Sequence, residues 1–485
     1  MNVKFYKIIY FILPVMTLLG CKKYVESGNV NVNPNQPSSV TLNTLLPAVE
    51  DATATNHCLV AYTTSLFSQQ MAAYQSGSID DDQNRQVRIA SAYYGLYQTG
   101  LTNSKLLIDM AKTLGAPHYS AMGRILFVLN LALAADTFGD IPFSDAFQAP
   151  AVLYPHYDAQ QGLYTLMQSY LDTAILETQQ ATPAALKPAS DDLIYGGDTS
   201  LWRQTAYFLK AKLYMHTTKK GSIVAANNAL AALANAYKST SKDLQLVYDG
   251  KKQNPWFINV SGRIVGAVFT NAPSKRFIDA LNGNAYPGLT DPRLTVLVDK
   301  GTAASYIGIP NGTGATGNTA NLTLNTFYGK STSPLLMASY AEQKLMEAEA
   351  RFISNGGLVS STGSTQAAYD AYLAGITANF AKLGVDGTAY LANPLVAVKL
   401  TGLTLELIMR ERQVLLFLNP EAWVDVRRYD YNPLIFKGMA LPANQDAGMT
   451  GLFIRRSGLP LDEINRNINA KAADKPLFEK VWWDQ

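Results

Sequence analysis

The sequence predicts an all-α protein, a scaffold of tetratricopeptide-like helical hairpins that carries long loop-rich insertions. Apolar residues recur at helical spacing through much of the chain, and the stretches with this pattern often come in pairs. Short polar turns join the paired stretches, as in solenoids of helical hairpins. Because no clear 34-residue repeat is visible, an irregular helical bundle is the alternative.

The chain begins with the features of a bacterial lipoprotein signal. Lys4 and Lys7 supply positive charge, and the apolar run from Ile8 to Leu19 is too short to span a bilayer as a helix. The run ends in Leu-Leu-Gly-Cys, which resembles a lipobox. In bacterial lipoproteins this cysteine is acylated, and more than one acyl chain gives stable anchoring. We therefore expect Cys21 to be lipidated and to hold the protein on a membrane. An ordinary cleaved signal with a chance cysteine is the alternative.

Composition divides the chain into parts. Residues 1–20 are the predicted signal peptide, residues 21–41 the lipidated cysteine with an Asn/Pro-rich flexible tether, and residues 42–485 a single domain. Two stretches of this domain lack helical periodicity: 245–333 is rich in Gly, Asn, Pro and Thr, and 427–485 is irregular. Long loops on a helical scaffold commonly carry recognition, so 245–333 is expected on the ligand side.

Helical periodicity marks the scaffold itself. One stripe carries Trp202, Ala206, Leu209 and Leu213, so Trp202 is expected in the core. The predicted helices are 42–73, 86–113, 120–135, 159–180, 200–218, 222–237, 335–353, 365–383 and 403–418. Residues 120–135 are nearly all apolar, which predicts a buried helix.

Composition and charge narrow the possible functions. Hydrophobic residues make up 48% of the 485 residues and charged residues 16%, as in globular proteins. Removal of the two signal lysines leaves 38 basic and 37 acidic residues, and no basic patch indicates nucleic-acid binding. With Cys21 acylated, Cys58 has no disulfide partner, and its apolar neighbours predict a buried small hydrophobe.

The most distinctive internal string is Asp-Thr-Phe-Gly-Asp-Ile-Pro at residues 136–142. Its glycine permits a turn, and its proline prevents the helix from continuing. Asp136, Asp140 and Asp145 could serve acid–base or metal chemistry, but aspartate also caps turns and helix starts. We favour capping.

This string resembles the Phe-Gly-Asp-Ile-Pro signature of the SusD/RagB family of outer-membrane nutrient-binding lipoproteins. Three further segments agree with the family in chain order. They are Cys21-Lys22-Lys23 with Asn33-Pro34-Asn35, Glu411-Arg412-Gln413 with residues 421–428, and Ile454-Arg455-Arg456 with Pro460, Glu463, Asn467 and Val481-Trp482-Trp483-Asp484.

We interpret these motifs as structural. Trp423, Arg427 and Arg428 follow an apolar helix, and Glu411 and Asp425 are candidate ion-pair partners for the buried arginines. The Asp291-Pro292-Arg293-Leu294 stretch is likewise expected to be a structural turn.

The resemblance implies tetratricopeptide-like hairpins with a loop-rich region that carries the ligand site. It also implies a partner, a SusC-like TonB-dependent transporter in the outer membrane, which the lipoprotein covers as a lid on the cell exterior. The implied role is non-catalytic and needs no cofactor. The implied ligand is an oligosaccharide nutrient, with peptides as the alternative in RagB-like members.

Other motifs are weaker. Residues 311–317 contain a literal GxGxxG, but the following residues do not predict a helix and 332–337 hold no acid, so a flexible loop is favoured over a dinucleotide site. No GxSxG elbow occurs. The histidines, which lack metal-ligand spacing, are His57, His118, His156 and His216. A surface glycoside hydrolase and a scaffold that binds only proteins are the rival functions.

Sugar-binding sites combine a flat aromatic face with amide, carboxylate or guanidinium groups. Two stretches offer this mixture, residues 69–75 with 80–82, and residues 254–259 with Arg263. The candidate ligand-binding residues are Gln70, Tyr74, Asp81, Asn254, Trp256, Asn259 and Arg263. Packing within the loops is the alternative for both aromatic residues.

Overall fold

Long helices form the frame of the molecule. The computed structural model describes residues 40–74, 78–314 and 317–485, so Cys21 and most of the predicted tether lie outside the described residues. The long helices are Leu42–Phe67, Thr102–Leu114, Pro117–Phe138, Gln160–Glu177, Thr199–His216, Ser222–Leu233, Tyr340–Ser354, Gln366–Leu383 and Leu405–Leu415. Every predicted helical stretch overlaps one of them, which confirms the all-α class.

Short elements fill the connections. The short helices are Ile79–Asp82, Ala90–Gly95, Gly262–Val265, Lys275–Leu281, Leu294–Leu297, Thr388–Ala392, Lys399–Gly402, Glu421–Arg428, Leu461–Arg466 and Ile468–Ala473. Two π-helical turns, Leu96–Leu101 and Phe257–Ser261, each run directly into a following helix. The stretch predicted as one helix over 86–113 is therefore two helices joined by such a turn.

Local chemistry sets the ends of the long helices. Four of them begin after a side chain that accepts a hydrogen bond from a first-turn N–H group, which satisfies a donor that the helix leaves free. The cap residues are Asp198, Ser339, Thr365 and Thr404. Gly115 and Gly384 end two helices with φ angles of 70° and 67°, where a glycine avoids the Cβ clash.

Helices that are neighbours in the chain are neighbours in space, as the paired patterns predict. The contacts pass in order through Thr102–Leu114, Pro117–Phe138, Gln160–Glu177, Thr199–His216, Ser222–Leu233, Tyr340–Ser354 and Gln366–Leu383. Such nearest-neighbour packing is typical of a tetratricopeptide-like solenoid. Trp202 and Cys58 are fully buried in its core, as expected.

Helix Pro117–Phe138 is long and apolar enough to cross a membrane, but 89% of its most apolar window is buried inside the fold. Buried residues occupy all sides of this helix, so it has no solvent-facing stripe. It is the core helix that the apolar run predicts.

Within the described residues, three two-stranded antiparallel sheets tie the loops to the helices. The pairs are Met71–Ala73 with Asn271–Pro273, Ile141–Pro142 with Tyr157–Asp158, and Leu244–Leu246 with Leu335–Ala338. The helical predictions for 68–73 and 335–338 are therefore wrong. Gln69 has a φ of 55°, which ends the first helix, and pairing with a distant strand overrides the local pattern.

The arginines near the chain's late helices are structural, and both predicted acidic partners pair with buried arginines. Asp425 pairs with Arg412 at 2.8 Å and with Arg428 at 2.6 Å, as expected of a partner for buried arginines. Glu411 pairs with Arg410 at 3.0 Å and with Arg293 at 2.6 Å, and the second pair joins the Asp291–Leu294 turn to helix Leu405–Leu415. Arg293 is fully buried, so this turn is structural, as predicted.

Arg427 is held without a carboxylate partner among the described residues. Its guanidinium carbon lies 3.6 Å from the ring centroid of Trp423 and 4.7 Å from that of Trp483. Nη1 donates to the carbonyl oxygens of Asp136 and Arg455 at 2.6 and 2.8 Å. The C-terminal segment is thereby fixed to the end of the core helix.

Candidate functional site

The fold brings the two predicted ligand-binding stretches side by side. Strand Met71–Ala73 pairs with strand Asn271–Pro273, and the Tyr74 N–H donates to the Thr270 carbonyl at 2.7 Å. The Thr270 hydroxyl in turn donates to the carbonyl of Asn259 at 3.4 Å. Residues that are far apart in the sequence therefore share one surface region.

Gln70 is fully buried and serves the fold. Its Nε2 donates to the carbonyl oxygens of Gln413 and Leu416, each at 2.9 Å, and its Oε1 accepts from the Leu418 N–H at 3.1 Å. These bonds satisfy the backbone groups where helix Leu405–Leu415 ends. The Gln70 amide therefore makes its three hydrogen bonds to backbone groups of the protein itself.

Asn254 and Trp256 are buried as well, with 0% and 2% of their surface exposed. The Asn254 side chain donates to the Ser333 carbonyl at 2.8 Å and accepts from the Trp256 N–H at 2.7 Å. The Trp256 ring lies 6.4 Å from that of Tyr62. Both side chains are thus packed within the loops, which was the alternative to ligand contact, because neither has a surface open to solvent.

The remaining candidates differ in exposure. Tyr74 is only 7% exposed and therefore buried; its ring lies 4.7 Å from that of Phe269 in a tilted arrangement, and its hydroxyl donates to the Gly317 carbonyl at 3.1 Å. Asp81 and Asn259 are half-buried and Arg263 is exposed. Burial, together with the charges of its acidic neighbours in the chain, raises the pKa of Asp81 to about 6.

Asp82 explains the glycine-rich loop. Its carboxylate accepts from the N–H groups of Ala73 and Gly312 at 3.0 and 2.7 Å and from the Asn311 side chain at 2.7 Å. A Cβ on Gly312 would collide with the Ala443 backbone. The described part of the GxGxxG segment is therefore a packed loop. A dinucleotide site needs a strand before this motif and a helix after it, and the described flanking residues form neither.

An open cleft of about 820 Å³ lies beside this region. Four segments form it: Gln69 after the first helix, residues 275–287, residues 310–311 and residues 437–443. The Gln69 side chain donates to the carbonyl of Ala440, which ties the first wall to the last. The cleft thus joins both of the irregular stretches that sequence analysis placed on the helical scaffold.

The chemistry of the cleft suits a hydroxyl-rich ligand. Its polar groups include the side chains of Gln69, Asp279, Asn284 and Asn311. Apolar surface beside them comes from Pro287, Pro310 and Leu441. Amides and carboxylates beside apolar surface match the hydroxyls and C–H faces of a sugar.

Arg276 lies in this wall and is half-buried. Its Nη1 donates to the Ser68 carbonyl at 3.1 Å and to Gln413 Oε1 at 3.4 Å, both neutral acceptors. Burial lowers the pKa of the guanidinium to about 10, and only Tyr286 counters this effect. The sequence did not predict this cleft because its cationic residues, at 275–276 and 437, are more than a hundred positions apart in the chain.

Tyr286 lies next to the cationic residues of the cleft. Its hydroxyl donates to Glu406 at 2.7 Å, and Lys437 Nζ lies 4.9 Å from its ring centroid. Arg410 contacts the same ring at 5.2 Å. The tyrosine therefore sits among cations, directly beside residues that line the cleft.

A model of the SusD-like family, described as starch-binding and associating with the outer membrane, matches residues 34–454. The chain belongs to this family. Solved structures agree in fold. A SusD/RagB family protein from Bacteroides thetaiotaomicron superposes with a TM-score of 0.72 at 21% identity, covering 92% of this chain and 99% of that one.

Two chitin-binding proteins are also similar. One shares 22% identity with a TM-score of 0.73 over 92% of this chain and all of the other. The second, a chitin-binding SusD homolog from Flavobacterium johnsoniae, shares 20% identity with a TM-score of 0.70, over 90% and 98% of the two chains. At these identities the likeness establishes the SusD-like fold. No match was found among curated protein sequences.

In this SusD-like protein, no group of three or more His, Cys, Asp or Glu side chains is placed to hold a metal ion within the described ranges. His57 and His216 are buried in the helical core, whereas His118 is half-buried and His156 is exposed.

Proposed function

We propose that this SusD-like protein is a non-catalytic lipoprotein of the outer membrane that binds an oligosaccharide nutrient in the cleft between residues 275–287 and 437–443. The proposal rests on the cleft itself, which is open, large enough for a few sugar units, and lined by amide and carboxylate groups beside apolar surface. Family membership supports carbohydrate as the ligand class.

Lipidation of Cys21 would hold the protein on the outer face of the membrane, and a SusC-like TonB-dependent transporter would receive the ligand. Residues 21–41 would serve as the tether that lets the lid move over its barrel. Asp81, Asn259 and Arg263, which reach the surface, are candidate contacts for a longer ligand, while Tyr74 would support this surface from below through its ring contact with Phe269. We assign Gln70, Asn254 and Trp256 to the fold.

Filling the cleft tests the binding proposal. Ala440 is exposed in the cleft wall, so Ala440→Trp should block ligand entry and lower oligosaccharide affinity by about tenfold or more in calorimetry. Ala367→Trp, at an exposed helix position outside the cleft, is the matched control. Unchanged affinity in Ala440→Trp, with the same melting temperature as the control, would place the ligand elsewhere.

The same titrations separate the rival functions. Release of reducing sugar during incubation would favour a glycoside hydrolase, and binding of peptides but no glycan would favour the RagB-like alternative. A tagged protein, cross-linked in cells and purified from solubilised outer membranes, should carry a barrel transporter with it. Recovery of the tagged protein alone would contradict the lid role.

A further inference from the structure

The cleft contains a guanidinium group that the fold does not neutralise. The buried arginines Arg293, Arg412 and Arg428 each pair with at least one buried carboxylate at 2.6 to 2.8 Å. Arg427, which has no carboxylate partner among the described residues, lies against two tryptophan rings and donates to two carbonyl groups. Arg276 pairs with no carboxylate in the described part of the chain. Its Nε is closed to solvent without a hydrogen-bond partner, whereas Nη2, which also has no partner among the described residues, keeps some exposure.

Nη2 is therefore the part of the guanidinium that an anion in the cleft can reach. Its N–H groups can donate charge-assisted hydrogen bonds to a carboxylate or a sulfate. A guanidinium that is largely withdrawn from water and has no anionic partner is costly, so a bound anion would stabilise a charge that the free protein leaves unpaired.

The remaining charges of the cleft point the same way. Lys275 and Lys437 also line it, and Asp279 is its one carboxylate among the described residues. Asp279 is already engaged, since Lys275 pairs with it and the Asn284 amide donates to it at 2.9 Å. Lys437 forms no ion pair with any described residue and lies over the Tyr286 ring. The cleft is thus cationic in a chain whose total charge is close to zero.

We propose that the ligand of this cleft is an acidic glycan, whose carboxylate or sulfate group binds Nη2 of Arg276 with Lys437 beside it. The inference rests on the proposed glycan-binding function and specifies its ligand class. Neutral parts of the same chain would contact Asn284, Asn311 and the proline faces. A neutral oligosaccharide would leave the Arg276 charge unpaired, and its affinity would be lower for that reason.

Calorimetry with matched probes tests the inference. Oligogalacturonate and oligomannuronate supply carboxylates, a sulfated galactan supplies sulfate esters, and the methyl-esterified or desulfated forms are neutral counterparts of the same backbones. We expect an acidic probe to bind at least about tenfold more tightly than its neutral form, with affinity that falls as salt is added. The preferred acid identifies carboxylate or sulfate as the group that is bound.

Variants locate the charge. Arg276→Met and Lys437→Met should each weaken the acidic probe by about tenfold while the neutral probe is little changed. Arg276→Lys keeps the charge without the fork and should recover only part of the affinity. Lys471→Met, which removes an exposed lysine outside the cleft, is the control for net charge. Because Lys437 is exposed, its variant keeps the test valid if Arg276→Met does not fold.

The outcomes distinguish this inference from the proposed function. Preference for neutral glycans, or equal loss of both probe types in Lys437→Met, would overturn the acidic ligand while leaving glycan binding in place. Binding of acidic peptides alone, or of no probe at all, would overturn both.

Discussion

At the scale of single residues, buried polar groups hold the helices in register. His216 is one centre of such a network: its Nε2 lies 2.8 Å from Glu421 and its Nδ1 2.8 Å from the Tyr164 hydroxyl and 3.4 Å from Asp136. Burial by itself would lower the pKa of His216, but the charges of Glu421 and Asp136 more than offset this and raise it to about 9.

This raised pKa predicts a pH-dependent stability. The folded-state value lies above the ordinary 6.5, so the stabilisation from the protonated ring is complete below pH 6.5 and disappears as the pH rises through 9. We expect the wild-type protein to lose about 3 kcal/mol of unfolding free energy from this group between pH 6 and pH 10. His216→Gln should lack this loss, and urea unfolding at both pH values measures it. Parallel pH profiles for the two proteins would contradict the assignment.

At the scale of elements, the signature string at residues 136–142 supplies a hydrogen-bond acceptor to a helix whose own first residues offer none. Helix Gln160–Glu177 follows Ala159, whose side chain cannot cap it. Asp140 provides the missing acceptor, with Oδ1 2.9 Å from the Gln160 N–H. Asp145 accepts from the backbone N–H and the ring Nδ1 of His156, in a loop. Asp136 accepts from the ring N–H of Trp483 at 2.8 Å. Capping is therefore confirmed for Asp140, while Asp136 joins the C-terminal segment to the core helix.

Removing this distant cap should cost as much as removing a local one. We expect Asp140→Ala to lower the unfolding free energy by about 1 kcal/mol, because the first turn of helix Gln160–Glu177 loses an acceptor. Asp198→Ala, which removes the local cap of helix Thr199–His216, is the matched comparison. Denaturant midpoints give both values. A destabilisation seen only in Asp198→Ala would show that the signature aspartate has another role.

At the scale of the whole molecule, both ends of the described chain are built into one core. Apolar residues from Leu42 to Trp483 belong to the same buried cluster. Near the C-terminus, Asp484 pairs with Arg455 at 3.0 Å and Lys219 at 2.7 Å, which fastens the last turn to the helical scaffold. The predicted tether, in contrast, precedes this core and would be the connection between it and the membrane.

The lipid anchor gives the prediction at this scale. We expect Cys21→Ser to abolish acylation, because the serine hydroxyl does not replace the thiol that carries the lipid, and the protein should leave the membrane fraction. Fractionation of cells with detection of labelled fatty acid measures both effects. Lys22→Ser, next to the same site, should remain membrane-bound. Retention of Cys21→Ser in the membrane fraction would point to another means of attachment.

The helices and the family were predictable because their signals are local: periodicity over ten to twenty residues, caps such as Ser339 and Thr365, and short strings such as residues 136–142. The apolar stripe around Trp202 and the apolar neighbours of Cys58 likewise predicted that both residues are buried. Features that depend on partners distant in the chain could not be predicted in this way. Residues 71–73 form a strand and not the predicted helix because they pair with residues 271–273. Trp256, predicted at the ligand site, is buried by packing within the loops. The cleft exists only because the fold brings Gln69, Arg276 and Lys437 together, and periodicity carries no information about such long-range proximity.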